Sequence, residues 1–288
     1  MLIVLCFIWG VSWPLIKVAL SEIPPLSMRT CSLGLGAVTL FIICLVKRRS
    51  FRIPSAKAWV HVVVASLLNI VAFTVVSAFA QTVTTTSRVA ILAYTMPIWA
   101  VLLAWPFLGE HPTRIQKIAL GLCAAGLAIL IYPLATTGVP FGIILALITG
   151  ACWGAGTVYL KWARIEADPM GVASWQVTIA FVVTAAATVL FEGRLALGAA
   201  HTKALLATVF SGVVGNGIAY GLWFDIVRRL PAATASLGVL SVPVIGVIAS
   251  VAILGEVPTA PDIVGFAMIF AASACVLLTR PTTAEATP

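Results

Sequence analysis

Trp9, Trp13 and Lys17 stand four residues apart, and Trp153, Thr157 and Lys161 repeat that spacing 144 residues later. Residues spaced i, i+4, i+8 share one face of a helix. Each set therefore aligns aromatic or hydroxyl surface with a cation at one end. The chemistry open to such a face is recognition rather than bond making. An indole packs an apolar ligand and attracts an ammonium through its π face, while a lysine meets a carboxylate. Asn69, Phe73, Ser77 and Gln81 form a third face of this kind, and Asn216, Tyr220, Phe224 and Arg228 a fourth. Arg88 and Thr95, seven apart, neighbour Tyr94, Met96, Pro97 and Trp99; Thr234 and Ser241 repeat the seven-residue spacing just before Pro243.

The elements that carry these faces are set by the solvent. Of the 288 residues, 61% are hydrophobic and 9% charged, against about 25% charged in an ordinary soluble domain. Hydrocarbon must surround most of the surface. Apolar runs long enough to span a bilayer are expected at 2–20, 28–46, 58–80, 85–107, 114–132, 140–161, 170–191, 203–224, 232–254 and 261–279. The first run lacks a basic n-region and an A-x-A site, so it reads as a retained span rather than a signal peptide. The six cysteines fall within the runs and form no CxxC or Cys/His spacing, which makes them small core hydrophobes.

Basic residues orient the chain. Lys47, Arg48, Arg49, Arg52, Lys57, Arg114, Lys117, Lys161, Arg164, Arg228, Arg229 and Arg280 fall on one side; Arg29, Arg88, Arg194 and Lys203 fall on the other, with Lys17 near its edge. The richer side is cytoplasmic, so both termini are expected inside. The net charge of +8 then reads as topology and attraction to anionic lipid, with no nucleic-acid partner.

The chain also repeats. Trp9, Gly10, Lys17, Ala19, Glu22 and Pro25 recur as Trp153, Gly154, Lys161, Ala163, Glu166 and Pro169. "LGEHPT" (Leu108 to Thr113) recurs as "LGEVPT" (Leu254 to Thr259), Pro97 as Pro243 and Asn69 as Asn216. Three blocks in one order imply two copies of a five-span unit, at 1–134 and 135–288. Five is odd, so the second copy enters from the opposite face. The fold expected is an all-α membrane protein of ten transmembrane helices in two inverted five-helix repeats. That is an architecture of alternating-access transporters, with a site near the midplane between the halves.

With "WG…K" opening each unit and "LGE" closing its fourth span, the sequence resembles the EamA branch of the drug/metabolite transporter superfamily over essentially its whole length. Within that branch it looks most similar to the YddG-type amino-acid exporters, which surround a largely uncharged cavity with tryptophan and tyrosine. The resemblance implies export and a bacterial inner-membrane location.

Amides and hydroxyls facing lipid would lose their partners, so spans 1, 3, 4, 6, 8 and 9 are expected to line a shared cavity. Its candidate residues are Trp9, Trp13, Lys17, Asn69, Phe73, Ser77, Arg88, Tyr94, Thr95, Trp99, Trp153, Thr157, Lys161, Asn216, Tyr220 and Ser241. Plainer readings stand beside these. Lys17, Lys161 and Arg88 can be interfacial anchors, the asparagines interhelical glue, and several tryptophans belt residues. Pro97 and Pro243 are either hinges or static bends. Gly150 with Gly154, and Gly217 with Gly221, mark close packing, and Glu110 and Glu256 suit a helix N-terminus.

All nine acids lie at span ends, in loops or in the tail. A proton-coupled pump ordinarily carries an ionisable group within the membrane, so passive exchange or facilitated efflux is favoured over proton-coupled efflux of drugs or other metabolites. An intramembrane enzyme would need GxSxG with a histidine, paired aspartates or HExxH; none is present. No metal or cofactor is expected. The partners expected are the lipid bilayer and a small neutral zwitterion with an apolar side chain, acting on a monomer.

Overall fold

The computed structural model describes residues 1–134, 141–198, 200–229 and 241–278. The start of the ninth expected span (232–240, with Thr234) and the tail carrying Arg280 lie outside the described residues, as do the side chains of Phe224 and Arg228. Everything described is helix or short connection. The helices are α1 (Leu2–Leu20), α2 (Pro25–Val46), α3 (Ala56–Val83), α4 (Thr86–Leu108), α5 (Arg114–Ile131), α6 (Phe141–Ala163), α7 (Pro169–Glu192), α8 (Thr202–Trp223, continuing to Arg229), α9 (Ser241–Leu254) and α10 (Ala260–Leu278). The first eight are long and apolar enough to cross a membrane, and the described parts of the last two are shorter apolar helices.

Their limits follow local chemistry. Pro25 and Pro169 stand in the first turn of α2 and α7, where proline's missing amide costs no hydrogen bond. Ser55 and Asp168 cap α3 and α7, and Thr113 with Gln116 closes a capping box on α5. The glycine of each "LGE" ends its helix in the left-handed region, Gly109 at φ 70° and Gly255 at φ 67°, which glycine enters without a Cβ penalty.

Four spans are not regular α-helix throughout. α3 is π-helical over Leu67–Ala72 and α8 over Phe210–Ile218, so each of the repeated asparagines, Asn69 and Asn216, sits in a π segment. α7 ends in a third, Thr188–Glu192. α4 is broken: one helix ends at Ala93, Tyr94 and Thr95 form a turn, and a second begins at Met96 with Pro97 in its first turn. The chain restarts at Pro97 rather than bending through it. Pro243 stands at the third residue of the described α9.

The bundle is apolar outside and partly polar within. Ile3, Phe7, Val46, Phe107, Ile118, Leu190 and Phe191 are exposed, whereas Ser32, Ser66, Ser77, Gln81, Thr149, Ser174 and Thr184 are buried. That inversion suits hydrocarbon, where polar groups must find partners inside. Glycines set the close contacts. α5 and α10 pack backbone to backbone, a Cβ built on Gly126 lying 3.0 Å from the Gly265 carbonyl and the reverse contact also 3.0 Å. Gly150 and Gly154 seat α6 against Thr95 and Trp99 of α4, and Gly217 seats α8 against Thr39 of α2. The small-residue spacings thus serve packing.

Candidate functional site

The helices carrying the polar and aromatic faces converge. Trp13 of α1 meets Phe73 of α3 edge-on with ring centroids 6.3 Å apart, and Phe73 meets Trp153 of α6 at 4.8 Å. Trp13 also lies over Gly246 of α9. One turn toward the start of α1, Trp9 contacts Tyr220 at 6.1 Å and Trp223 at 5.9 Å, both on α8, and its indole donates to the Gly215 carbonyl at 3.2 Å. Tyr94, in the break of α4, lies within electrostatic range of Tyr220 and Cys6. The Cys6 thiol is hydrogen-bonded to Ser241 at the start of the described α9. Aromatic surface from α1, α3, α6 and α8 and small polar groups from α4 and α9 therefore share one seam.

Other candidates stand differently. The Trp99 indole donates to Thr95 Oγ1 at 3.1 Å, and Thr95 donates to the Leu92 carbonyl at 2.7 Å, so this pair fastens the break in α4. Thr157 is exposed and donates to the Trp153 carbonyl. Asn69 is pressed onto α6: a Cβ at Gly156 would fall 1.9 Å from its Oδ1, an atom without a hydrogen-bond partner among the described residues. Asn216 faces Gly36 of α2, its amide reaching the Ser32 carbonyl at 3.5 Å. Both asparagines occupy helix contacts, in π segments, a geometry often found at functional positions.

The charged candidates lie toward the two ends of the bundle. Lys17 donates to the Gln81 carbonyl of α3, and the charge of Glu256 acts on it. Lys161 pairs with Glu110 in an exposed setting. Lys161 of the second "WG…K" thus pairs with the glutamate of the first unit's "LGE", whereas Glu256 of the second "LGE" acts on Lys17 from beyond ion-pair distance. Arg88 forms a two-pronged pair with Asp262 at 2.7 and 3.0 Å, and Asp262 also accepts from the Thr259 amide and hydroxyl at 3.0 and 2.8 Å. Arg88 is therefore committed to the start of α10. A cavity of about 80 Å³ adjoins it, lined in part by Ser87, Glu256, Val257 and Phe266.

Glu192 and Glu256 use one geometry. Glu192 accepts from the Leu26 amide (2.9 Å) and from the amide and hydroxyl of Ser27 (2.8 and 2.6 Å). Glu256 treats Thr86 and Ser87 in the same way, at 2.6, 2.9 and 2.6 Å. Each carboxylate caps a helix that begins more than 160 residues earlier in the chain, satisfying amides that a helix start leaves free. The sequence suggests a carboxylate beside a helix N-terminus; the helix it serves is α4 rather than the one that follows. At the other end Lys47 pairs with Asp225 and Arg49 with Asp168. Among the described residues every ion pair joins residues 1–134 to the remainder.

Three comparisons place the chain. The EamA-like transporter family matches residues 1–132 and again 140–278. "Uncharacterized transporter YvbV" of Bacillus subtilis is 26% identical, covering 96% of this chain and 90% of that protein. "Uncharacterized transporter YoaV" of the same organism is 23% identical over 83% and 82% of the two chains. "Uncharacterized inner membrane transporter YedA" of Escherichia coli is 23% identical over 88% and 82%. A solved crystal structure superposes with a TM-score of 0.64 at 20% identity, over 95% of each chain, which speaks to the fold alone. With its apolar exterior, its seam of aromatic and polar side chains and two successive matches to one family, the chain belongs to the EamA-like transporter family, within the drug/metabolite transporter superfamily, and is a multi-pass membrane transporter.

Proposed function

We propose that this transporter exports amino acids with apolar, chiefly aromatic, side chains, and related small metabolites, across the bacterial inner membrane. It works as a monomeric facilitator uncoupled to protons, in the manner of the YddG-type exporters it resembles. Two inverted five-helix repeats, 1–134 and 135–288, with both termini cytoplasmic, rock about a central site and expose it to each side in turn. Substrate needs only to bind both states, so no covalent step is involved. Support for two related halves comes from the two successive family matches, the paired π segments and the repeated "LGE" helix ends.

One observation carries the substrate class. The Trp13–Phe73–Trp153 cluster joins α1, α3 and α6, and aromatic faces suit an apolar or aromatic side chain. The described carboxylates lie toward helix ends or in connections, engaged with amides or cations where the contacts are known. Export follows the family likeness, and the inner membrane follows YedA by name.

Efflux of labelled phenylalanine from liposomes containing the purified protein tests this, with and without an imposed pH gradient. Saturable efflux indifferent to the gradient is expected. Absence of protein-dependent efflux from folded protein would remove the amino-acid substrate. Gradient-driven flux would establish proton coupling and direct attention to Asp262, a buried carboxylate paired with Arg88.

A further inference from the structure

We propose that Arg29, Ser77, Gln81 and Lys17 form a receptor for a small carboxylate. The transported molecule is then an anion or zwitterion held by that group at one end of the aromatic cluster. The connection to transport rests on the reading above; the receptor itself rests on four side chains and their unmet partners.

Arg29, one turn into α2, is 3% exposed. Its Nη2 donates to Ser77 Oγ of α3 at 3.2 Å, and its Nε has no partner among the described residues. No carboxylate among the described residues lies within ion-pair distance of it. Four residues beyond Ser77, Gln81 is fully buried, and among the described residues both its Oε1 and its Nε2 lack partners, while its backbone carbonyl receives Lys17 Nζ. α1, α2 and α3 thus enclose a guanidinium, an ammonium, a hydroxyl and a primary amide, and among the described residues neither cation has a carboxylate within ion-pair distance, Glu256 acting on Lys17 only from farther off. The glutamates described on this side of the bundle are spoken for, Glu22 by His201, Glu192 by Leu26 and Ser27, and Glu256 by Thr86 and Ser87.

An enclosed cation is strongly disfavoured unless an anion and hydrogen bonds compensate it. An amide with neither end satisfied adds to the imbalance. A carboxylate supplies what is missing, two oxygens for the guanidinium fork and an acceptor for Gln81 Nε2. In an α-amino acid the neighbouring ammonium also has an acceptor waiting in Gln81 Oε1. One turn back from Ser77 stands Phe73, and one turn back from Lys17 stands Trp13, and these two rings touch. A turn rises about 5.4 Å, which suits a ligand whose polar head and apolar body are joined by one or two bonds.

The test is thermal stabilisation of the detergent-purified full chain by 3-phenylpropionate, phenylalanine and phenethylamine. The two carboxylates should raise the melting temperature and the amine should not. Arg29→Gln should weaken the apparent affinity for 3-phenylpropionate at least tenfold and Ser77→Ala several-fold. Gln81→Leu, which removes the amide, should weaken phenylalanine more than 3-phenylpropionate. Arg194→Gln, at an exposed position, should leave both responses unchanged. Should Arg29→Gln fail to fold, the Ser77 and Gln81 variants carry the test. Equal stabilisation by phenethylamine, or wild-type responses in the variants, would overturn the receptor. So would stabilisation by phosphatidylglycerol with no response to 3-phenylpropionate, which would make the cluster a lipid-phosphate site. Arg29-dependent binding of 3-phenylpropionate without phenylalanine efflux would keep the receptor and remove amino-acid export. Efflux without Arg29-dependent binding would do the reverse.

Discussion

Glu256 closes over Ser87: its Oε2 accepts from the Ser87 amide at 2.9 Å and from the Ser87 hydroxyl at 2.6 Å, across 169 residues of chain. The contact binds the end of α9 to the start of α4. Glu192 makes the same contact with Ser27 at the start of α2, so two helices of the first half are capped by carboxylates of the second. The alternating-access cycle proposed above predicts that such caps break when this face opens.

Glu256→Ala should therefore shift the protein toward opening on this face. A charge-assisted cap exceeds a neutral one, so a shift of about 1.4 kcal/mol, a tenfold change in the open population, is expected. A cysteine at Ala90, which is fully buried, placed in a cysteine-free background, should react correspondingly faster with a membrane-impermeant maleimide. An unchanged labelling rate would show that the cap is no latch.

The Arg88–Asp262 pair is the enclosed ion pair of the same face, with side chains 19% and 7% exposed. Arg88→Ala leaves Asp262 partly buried without its cation, and Asp262→Ala does the converse. Each should cost about 2 kcal/mol, seen as a lowered melting temperature. The double variant should lose less than the sum, because the second change removes the charge that the first left unpaired. Additive losses would mean that the two side chains act independently.

Within the seam, Phe73 touches both Trp13 and Trp153. Phe73→Ala should raise KM for phenylalanine by about tenfold with a smaller effect on kcat. Trp105→Ala, on the exposed apolar surface, should leave KM unchanged. A common effect of the two substitutions would point to general destabilisation instead of substrate contact.

Glu22, in the connection after α1, accepts from the His201 amide at 2.5 Å and meets its ring at 3.0 Å. The His201 amide, followed by the imidazole, holds this carboxyl below the usual glutamate range. Protonation is thus harder in the folded chain, and the stabilisation is fully present above the unfolded value, near pH 4.5. It is lost as pH falls through the lowered folded value. Glu22→Gln should flatten that part of the melting-temperature profile. A variant that still followed the wild-type profile below pH 4.5 would assign the acid sensitivity elsewhere.

Much of the candidate seam was legible in sequence because its signals are local. The i, i+4 spacings bring Trp9, Trp13, Phe73, Trp153 and Tyr220 onto faces that do meet. The repeated glycines of "LGE" mark left-handed helix ends at Gly109 and Gly255. Spacing could not separate Thr157, which is exposed, from Trp153 one turn away, because it orders residues on one helix without saying which neighbour covers them. Nor could it show that the chain breaks at Tyr94 and Thr95, or that α3 and α8 adopt π geometry around their asparagines.

Hydrophobic length, charge placement and internal repetition are properties of the chain in one dimension. They determine by themselves that this is a helical membrane protein, and they carry the resemblance to the transporter family. Partnership across the bundle belongs to the tertiary structure alone. Arg29 reads in sequence as one more charge on the sparsely basic side. Only the packing of α2 against α3 encloses it beside Ser77, with no carboxylate of the described residues within ion-pair distance. Glu192 and Glu256 likewise find the starts of α2 and α4 across 165 to 170 residues of chain. A polar group in hydrocarbon must take its partner from whatever helix packs beside it, and the packing, not the spacing, decides which helix that is.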